Sequence, residues 1–393
     1  MGKRKTLTEA AKDAKPNTEL DAALATVRGL RAENNRLRAS VGNWESLVHS
    51  FVQAAPAFPV PKKPTLRAAP TDKTQELVAI LSDSHATESW THDQTDGATE
   101  YGFDRFCQYL WYYGQEIIRV AAEERGKSGV KTLHVDILGD IYHGTLRLED
   151  EVTNEFGSVP GIINVTSVLA QWLAVLAGHF STIRVNCVSG NHGRMHHKTQ
   201  SKRYVEENKD TLVYLIVKSI LEANGLGGRV LMHVHSSRVA TITRLGHRIR
   251  IGHGDHIRGG NSIATIPIYG LSREILRQLR KDIRQVRGDH KEIALIEYGH
   301  WHLANFLEDI LLINGALCPT APWAFDELGA MADPKQWVYF VSRRYAYGWM
   351  LPLAIKHGAG VKHGFVYDPD ATIGQLPGAD AGILAGSVLS KGG

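Results

Sequence analysis

The sequence is poor in cysteine. Three residues in 393, Cys107, Cys187 and Cys318, are scattered without metal-type spacing. That excludes a disulfide framework and points to a reducing compartment. Charge excess of either sign is also missing: 45 Lys and Arg face 41 Asp and Glu, a formal +4, which neither demands nor excludes nucleic acid. No apolar run approaches the length of a membrane span, and the basic N-terminus (MGKRKTLTEAAKDAKP) lacks the apolar stretch of a signal peptide. The expectation is a cytoplasmic, soluble protein with no membrane partner. No GxxxxGK loop is present, which argues against Walker-type phosphoryl transfer.

What the chain has in quantity is histidine, 19 residues, many beside Gly or Asp. Residues 1–17 are polar and read as disordered. Over 18–54 two heptad series follow: Leu20, Val27, Asn34, Val41, Val48 at one position, and Ala23, Leu30, Leu37, Trp44, Phe51 at the other. β-branched residues at a, Leu at d and a lone Asn at a predict a parallel two-stranded coiled coil, hence a homodimer. Residues 55–75 carry Pro56, Pro59, Pro61, Pro64 and Pro70 and read as a semi-extended linker. The body spans 76–355, and a Gly-rich tail, 356–393, follows as an extended arm or in partial disorder.

The body opens as strand, helix, strand, helix, strand: LVAIL, a helix over 102–125, LHVDIL, a helix over 161–179, and IRVNCV. This βαβαβ pattern predicts an α/β fold with parallel strands. RVLMHVH, RVATITRL and HRIRIGHG alternate over short spans and read as antiparallel pairs. Over 271–287 a helix places Arg273, Arg277, Arg280, Arg284 and Arg287 along one face, beside an apolar stripe begun by Leu276.

Five strand ends carry the chemistry. LVAIL runs into Ser82-Asp83-Ser84-His85, and LHVDIL into Gly139-Asp140-Ile141-Tyr142-His143. Next come Gly190-Asn191-His192-Gly193, Gly252-His253-Gly254-Asp255 and Gly299-His300-Trp301-His302. Any one of these would pass as a cap, a turn or a core histidine. Together they supply carboxylate, amide oxygen and imidazole, a donor set for hard or borderline divalent cations. A carboxylate such as Asp140 has two oxygens and can bridge two ions.

These blocks resemble the signature of the calcineurin-like metallophosphoesterases: D-x-H, G-D-x-x-[HD], G-N-H-[ED], a later H-G, and G-H-x-H. The resemblance covers roughly residues 77–315 and implies a four-layer αββα sandwich with a dinuclear site at the strand ends. It further implies that Asp83, His85, Asp140 and His302 hold one ion, and that Asp140, Asn191, His253 and His300 hold the other. Manganese comes first among the expected metals, with iron or zinc as alternatives. His192 resembles the histidine that contacts the scissile phosphate and protonates the leaving oxygen. The third block departs from the pattern: Gly193-Arg194 stands where an acid usually follows, unless Asp255 or another carboxylate substitutes.

His143, in the second block, resembles the residue that positions a phosphodiester in SbcD-type nucleases. With the arginine row, Arg194, Arg258 and the run HGRMHHKTQSKR, it raises DNA as substrate and partner, in a repair-type or phage-encoded nuclease. The expected catalytic residues are therefore His192 and His143, with Arg194 and Arg258 on the substrate. The alternatives are hydrolysis of a small nucleotide-like phosphoester, or a coiled-coil scaffold with a vestigial site.

Overall fold

The computed structural model describes residue 26 and residues 46–66, 74–144, 148–196, 203–257, 266–285, 292–329 and 331–368. Most of the expected coiled coil, part of the proline-rich linker, Arg258, Lys198, Lys202 and the end of the tail lie outside the described residues. So do the side chains of Arg280, Arg284 and Arg287.

Two sheets form the body. The first is built from β1 (Gln75–Leu81), β2 (Thr132–Ile137), β3 (Thr182–Cys187), β4 (Val230–Val234), β10 (Lys335–Ser342) and β11 (Met350–Ala354), in the order β11-β10-β1-β2-β3-β4. β1 to β4 are parallel; β10 and β11 are antiparallel to their neighbours. The second holds β5 (Val239–Arg244), β6 (His247–Gly252), β7 (Ile293–Tyr298), β8 (Asn305–Leu307) and β9 (Leu311–Ile313), in the order β5-β6-β7-β9-β8.

Alternation along the strands puts apolar side chains on the facing surfaces. Val78, Ile80 and Tyr339 of the first sheet pack on Ile249, Ile251, Leu295 and Leu312 of the second. Buried among them, Arg244 donates to Glu297 and to the Tyr339 hydroxyl at 2.9 and 2.6 Å and also pairs with Asp136. A buried ion group of this kind costs about as much in desolvation as it returns, but losing one partner would cost roughly 3–5 kcal/mol.

Helices cover both outer faces. α1 (Phe103–Ser128), α3 (Ser158–Ala177) and α4 (Lys209–Ala223) lie on the first sheet, and α5 (Ile268–Gln285) packs Leu271 and Ile275 on the second. Two short helices, α2 (Leu148–Thr153) and α6 (Pro322–Leu328), sit in connections. The result is a four-layer αββα sandwich.

Several sequence expectations change. RVLMHVH is not an antiparallel strand of the second sheet: β4 pairs parallel to β3 and forms the edge of the first. Its alternation reflects an edge strand with one face on α4, a pattern that cannot by itself distinguish the two directions. The helix Ser158–Ala177 is, against expectation, long and apolar enough to cross a membrane, yet 83% of that stretch is buried in the body. A helix packed on several sides is apolar all round. In α5, Leu276 is 54% exposed, while Leu271 and Glu274 are buried. As far as Asp368 the tail packs on the body: Val366 exchanges hydrogen bonds with Gln171, and Phe365 packs on Trp111.

Candidate metal centre

Because β1, β2 and β3 run parallel, their C-terminal ends share one edge, where open α/β sheets place their sites. β6 and β7, also parallel to each other, deliver His253 and the His300–His302 loop to the same place. The loops are then locked together. Asp83 N–H donates to the Gly139 carbonyl at 3.1 Å, and the N–H groups of Ser84 and His85 donate to the Asp140 carbonyl at 2.9 and 3.0 Å. His300 N–H reaches both Asp83 oxygens at 3.1 Å, and His192 N–H reaches Asp140 Oδ1 at 2.7 Å.

This closeness explains the glycines of the motifs. A Cβ on Gly190 would lie 2.2 Å from Asp140 Oδ1, and one on Gly299 would lie 2.6 Å from Asp83 Oδ2. The site also holds strained backbone: Asp83, His85, Asp140, His300 and His302 all have positive φ, between 42° and 76°. Each such residue costs about 1–3 kcal/mol and persists only where its surroundings over-determine it.

Two groups of ligand-type atoms share Asp140. Asp83, His85 and Asp140 form one, and Asp140, His253 and His300 the other, with the atoms of each group within 4.8 Å of one another. His302 Nε2 stands 3.4 Å from Asp83 Oδ1, beside the first group. Asn191 Oδ1 stands 3.1 Å from His253 Nε2, beside the second.

The donors suit divalent cations. His253 Nδ1 donates to the Leu138 carbonyl at 2.8 Å, which leaves Nε2 to face Asp140 Oδ2 at 2.9 Å. His85 Nε2 is buried with no hydrogen-bond partner. Burial holds the His85 imidazole well below its usual range, with His192 adding to the effect, and burial with His253 brings His300 down to about 4. Both are therefore neutral, as a ligating imidazole must be. Burial also pulls His253 down, but the adjoining Asp140 outweighs it and raises the group to about 10; that proton is what a metal ion would displace.

His192 and His143 both stand at this centre. Their rings lie 4.6 and 5.3 Å from that of His85, and His143 Nδ1 is 3.0 Å from His85 Nδ1. Asp255 does not replace the missing acid of the third block, because it pairs with Arg238 and accepts from the Tyr204 hydroxyl at 3.0 Å. The carboxylates in the cleft are instead Glu88, 3.4 Å from His143 Nδ1, and Asp150, 3.8 Å from its Nε2. Burial, reinforced by Asp150, pushes Glu88 up to about 8. Arg194 donates from Nε to the Asn191 carbonyl at 3.0 Å, bracing its own turn, and does not line the cleft.

Sequence reasoning missed Asp210. Its Oδ2 accepts from Asp140 N–H and Gly190 N–H, both at 2.9 Å, and its Oδ1 from Tyr142 N–H at 3.1 Å. One carboxylate thus ties the second and third loops together from beneath. The signal available was Asn208-Lys209-Asp210 at the start of α4, where Asn208 caps the helix by accepting from Asp210 N–H at 2.9 Å. An acid there reads as ordinary helix-start chemistry.

The centre opens into a cleft of about 220 Å³, walled by Pro319, Pro322 and Trp323 on its apolar side and by Gln94, Glu88 and Asp150 on its polar side. Histidine is the only basic residue type in that lining among the described residues.

No family model matches the sequence, and no curated protein matches it. Among solved structures the chain is similar to a conserved uncharacterized protein of Streptococcus pneumoniae, a predicted phosphoesterase. The identity is 13%, over 72% of this chain and 98% of that one, with a TM-score of 0.26. It is also similar to vacuolar protein sorting 29 of Cryptosporidium parvum (12%, 72% and 99%, 0.29) and to phosphopantetheinyl hydrolase of Mycobacterium tuberculosis (10%, 65% and 94%, 0.26). Likeness at this level carries no argument about activity. The two-sheet αββα sandwich is the architecture that the sequence motifs led us to expect.

Proposed function

We propose that the protein hydrolyses phosphoesters with two divalent metal ions, and that its substrate is a small, nucleotide-like phosphodiester or monoester. The observation that supports the chemistry is the pair of ligand groups sharing Asp140. In this reading Asp83, His85, Asp140 and His302 hold one ion, and Asp140, Asn191, His253 and His300 hold the other. Bound ions of this kind supply Lewis acidity and bring the pKa of water from 15.7 to about 7. Asp140, common to both groups, would serve both ions, and Asn191 as a neutral ligand would limit the negative charge. His192 contacts the phosphate and protonates the leaving oxygen, and His143 holds His85 in place. Glu88 and Asp150 flank His143 in the cleft, while His192 Nδ1 is buried without a hydrogen-bond partner.

The substrate reading rests on the cleft. Trp323 is half-exposed at its wall, and no Lys or Arg lines it among the described residues. DNA is the reading to test against this one; its support is His143 and the exposed Arg273 and Arg277 of α5, of which Arg277 is already paired with Glu274. Dimerisation through the heptads of 18–54 is a separate proposal. Removing residues 1–45 should halve the mass seen in light scattering, and an unchanged mass would count against the coil.

The deciding experiment loads the protein with manganese and compares bis(p-nitrophenyl) phosphate and nucleotide esters with single- and double-stranded DNA. Turnover of the small esters with DNA left intact supports the proposal. DNA degradation that weakens steeply with salt overturns the small-substrate reading. Failure to bind metal by calorimetry overturns the phosphoesterase reading itself.

A further inference from the structure

A second cavity, of about 560 Å³, lies on the flank of the sandwich and shares no lining residue with the metal cleft. It opens between β4, the edge of the first sheet, and β5, the edge of the second. Strand register shows how it arises. Across the inner face of the first sheet one row runs Val78, His134, Arg184, Leu231, and the next runs Ile80, Asp136, Asn186, His233. At β1 these positions are apolar and covered by the second sheet. At β3 and β4 the same face leaves Arg184 and His233 exposed and Leu231 40% exposed. An inward-facing strand position that carries a cation is a poor choice for packing, so this stretch of sheet is built for something other than core.

The lining is basic and open to a ligand. The side chains of Arg184, Lys218 and His233 make no hydrogen bond or ion pair with another described residue, and among the described residues Glu222 is the one carboxylate in the lining. Two buried nitrogens add an independent sign. Arg244, 2% exposed, lines the cavity with its Nε–H unpartnered, and His235, ring to ring with His233 at 4.3 Å, leaves a buried Nε2 without a partner. Unsatisfied buried polar atoms of this kind call for a partner. Leu231, Met232 and Ile242 give the same cavity an apolar wall. Its volume falls in the range of roughly 300–1,000 Å³ that holds organic ligands rather than a bare ion.

We propose that this flank cavity binds a phosphorylated organic molecule of nucleotide size, with Arg184, Lys218 and His233 on the phosphate and Leu231 and Ile242 against the organic part. Guanidinium and ammonium groups are the usual partners of phosphate, the first by paired N–H donors and the second as a point charge. The reading does not depend on what the metal centre does.

Lys218 gives a readout confined to this cavity: its acylation by an amine reagent, followed by mass spectrometry on the full-length protein carrying Asp140→Ala, so that the metal centre does not hydrolyse the probe. AMP, inorganic phosphate and adenosine are the probes. AMP should protect Lys218 with half-protection near or below about 1 mM, phosphate more weakly by about tenfold, and adenosine not at all. Added to that variant, Arg184→Ala should raise the AMP concentration needed by about tenfold, while Arg184→Ala alone turns over bis(p-nitrophenyl) phosphate at the wild-type rate. Protection by adenosine equal to that by AMP overturns the phosphate assignment. Equal protection by phosphate and AMP overturns the organic part. No protection by any probe, or protection unchanged in Arg184→Ala, overturns the site.

Discussion

The metal cleft and the flank cavity are built by opposite means from the same sandwich. In the cleft the functional side chains stand on loops, five of them on residues with left-handed backbone, and glycines let the loops approach within contact. In the flank cavity they stand on β3, β4 and α4, in ordinary alternation. The cleft gathers carboxylates around neutral histidines, which suits cations; the cavity gathers unpaired cations, which suits anions. Strained loops give a geometry that regular strands cannot reach, and they need many hydrogen bonds to hold them. Regular strands give a site almost without strain, provided the covering sheet stops short.

Breaking the cleft should have the larger effects. Asp140→Ala removes the shared carboxylate and should abolish both calorimetric metal binding and ester hydrolysis; persistent turnover would sink the shared-ligand assignment. His192→Ala should lower kcat roughly 100- to 10,000-fold while metal binding survives, the range expected of a general acid. If metal affinity falls in step with kcat, His192 is a ligand instead. Asp210→Asn keeps the volume but replaces an acceptor beneath two loops, and metal affinity should drop about 10- to 100-fold. A change in melting temperature alone, with affinity intact, would make Asp210 a purely structural brace.

Smaller effects would sharpen the comparison. Trp323→Ala should raise KM for nucleotide esters roughly 5- to 30-fold, a stacking loss of about 1–2 kcal/mol, and leave KM for bis(p-nitrophenyl) phosphate nearly unchanged. Equal effects on both would remove Trp323 from base recognition. On the flank, burial, helped by His233, lowers His235 from 6.5 to about 4. A histidine whose folded pKa is depressed takes up its proton more readily in the unfolded chain, so its stability contribution is present above 6.5 and is lost as pH falls toward 4. His235→Gln should flatten that part of the urea-midpoint curve, and an unaltered slope would show that His235 is solvated in the folded protein.

Much of the fold was legible because the signals were local. The βαβαβ start follows from runs such as LVAIL and IRVNCV, whose length and β-branched content need no tertiary information. The direction of β4 was not legible, since alternation describes one covered face and is silent about which neighbour supplies the ladder. Asp210 escaped because an acid in the first turn of a helix already has a local explanation.

The sequence by itself determined the donor types of the metal cleft and their attachment to strand ends, because ligand chemistry and strand pattern are properties of neighbouring residues. It also determined the glycines beside them. Only the tertiary structure decided that Asp140 stands between two ligand groups, that Asp210 holds its loop from beneath, and that Arg184, Lys218 and Arg244 meet at one cavity. Those facts depend on contacts between residues far apart in the chain, and they are fixed by register and sheet order, which no local pattern encodes.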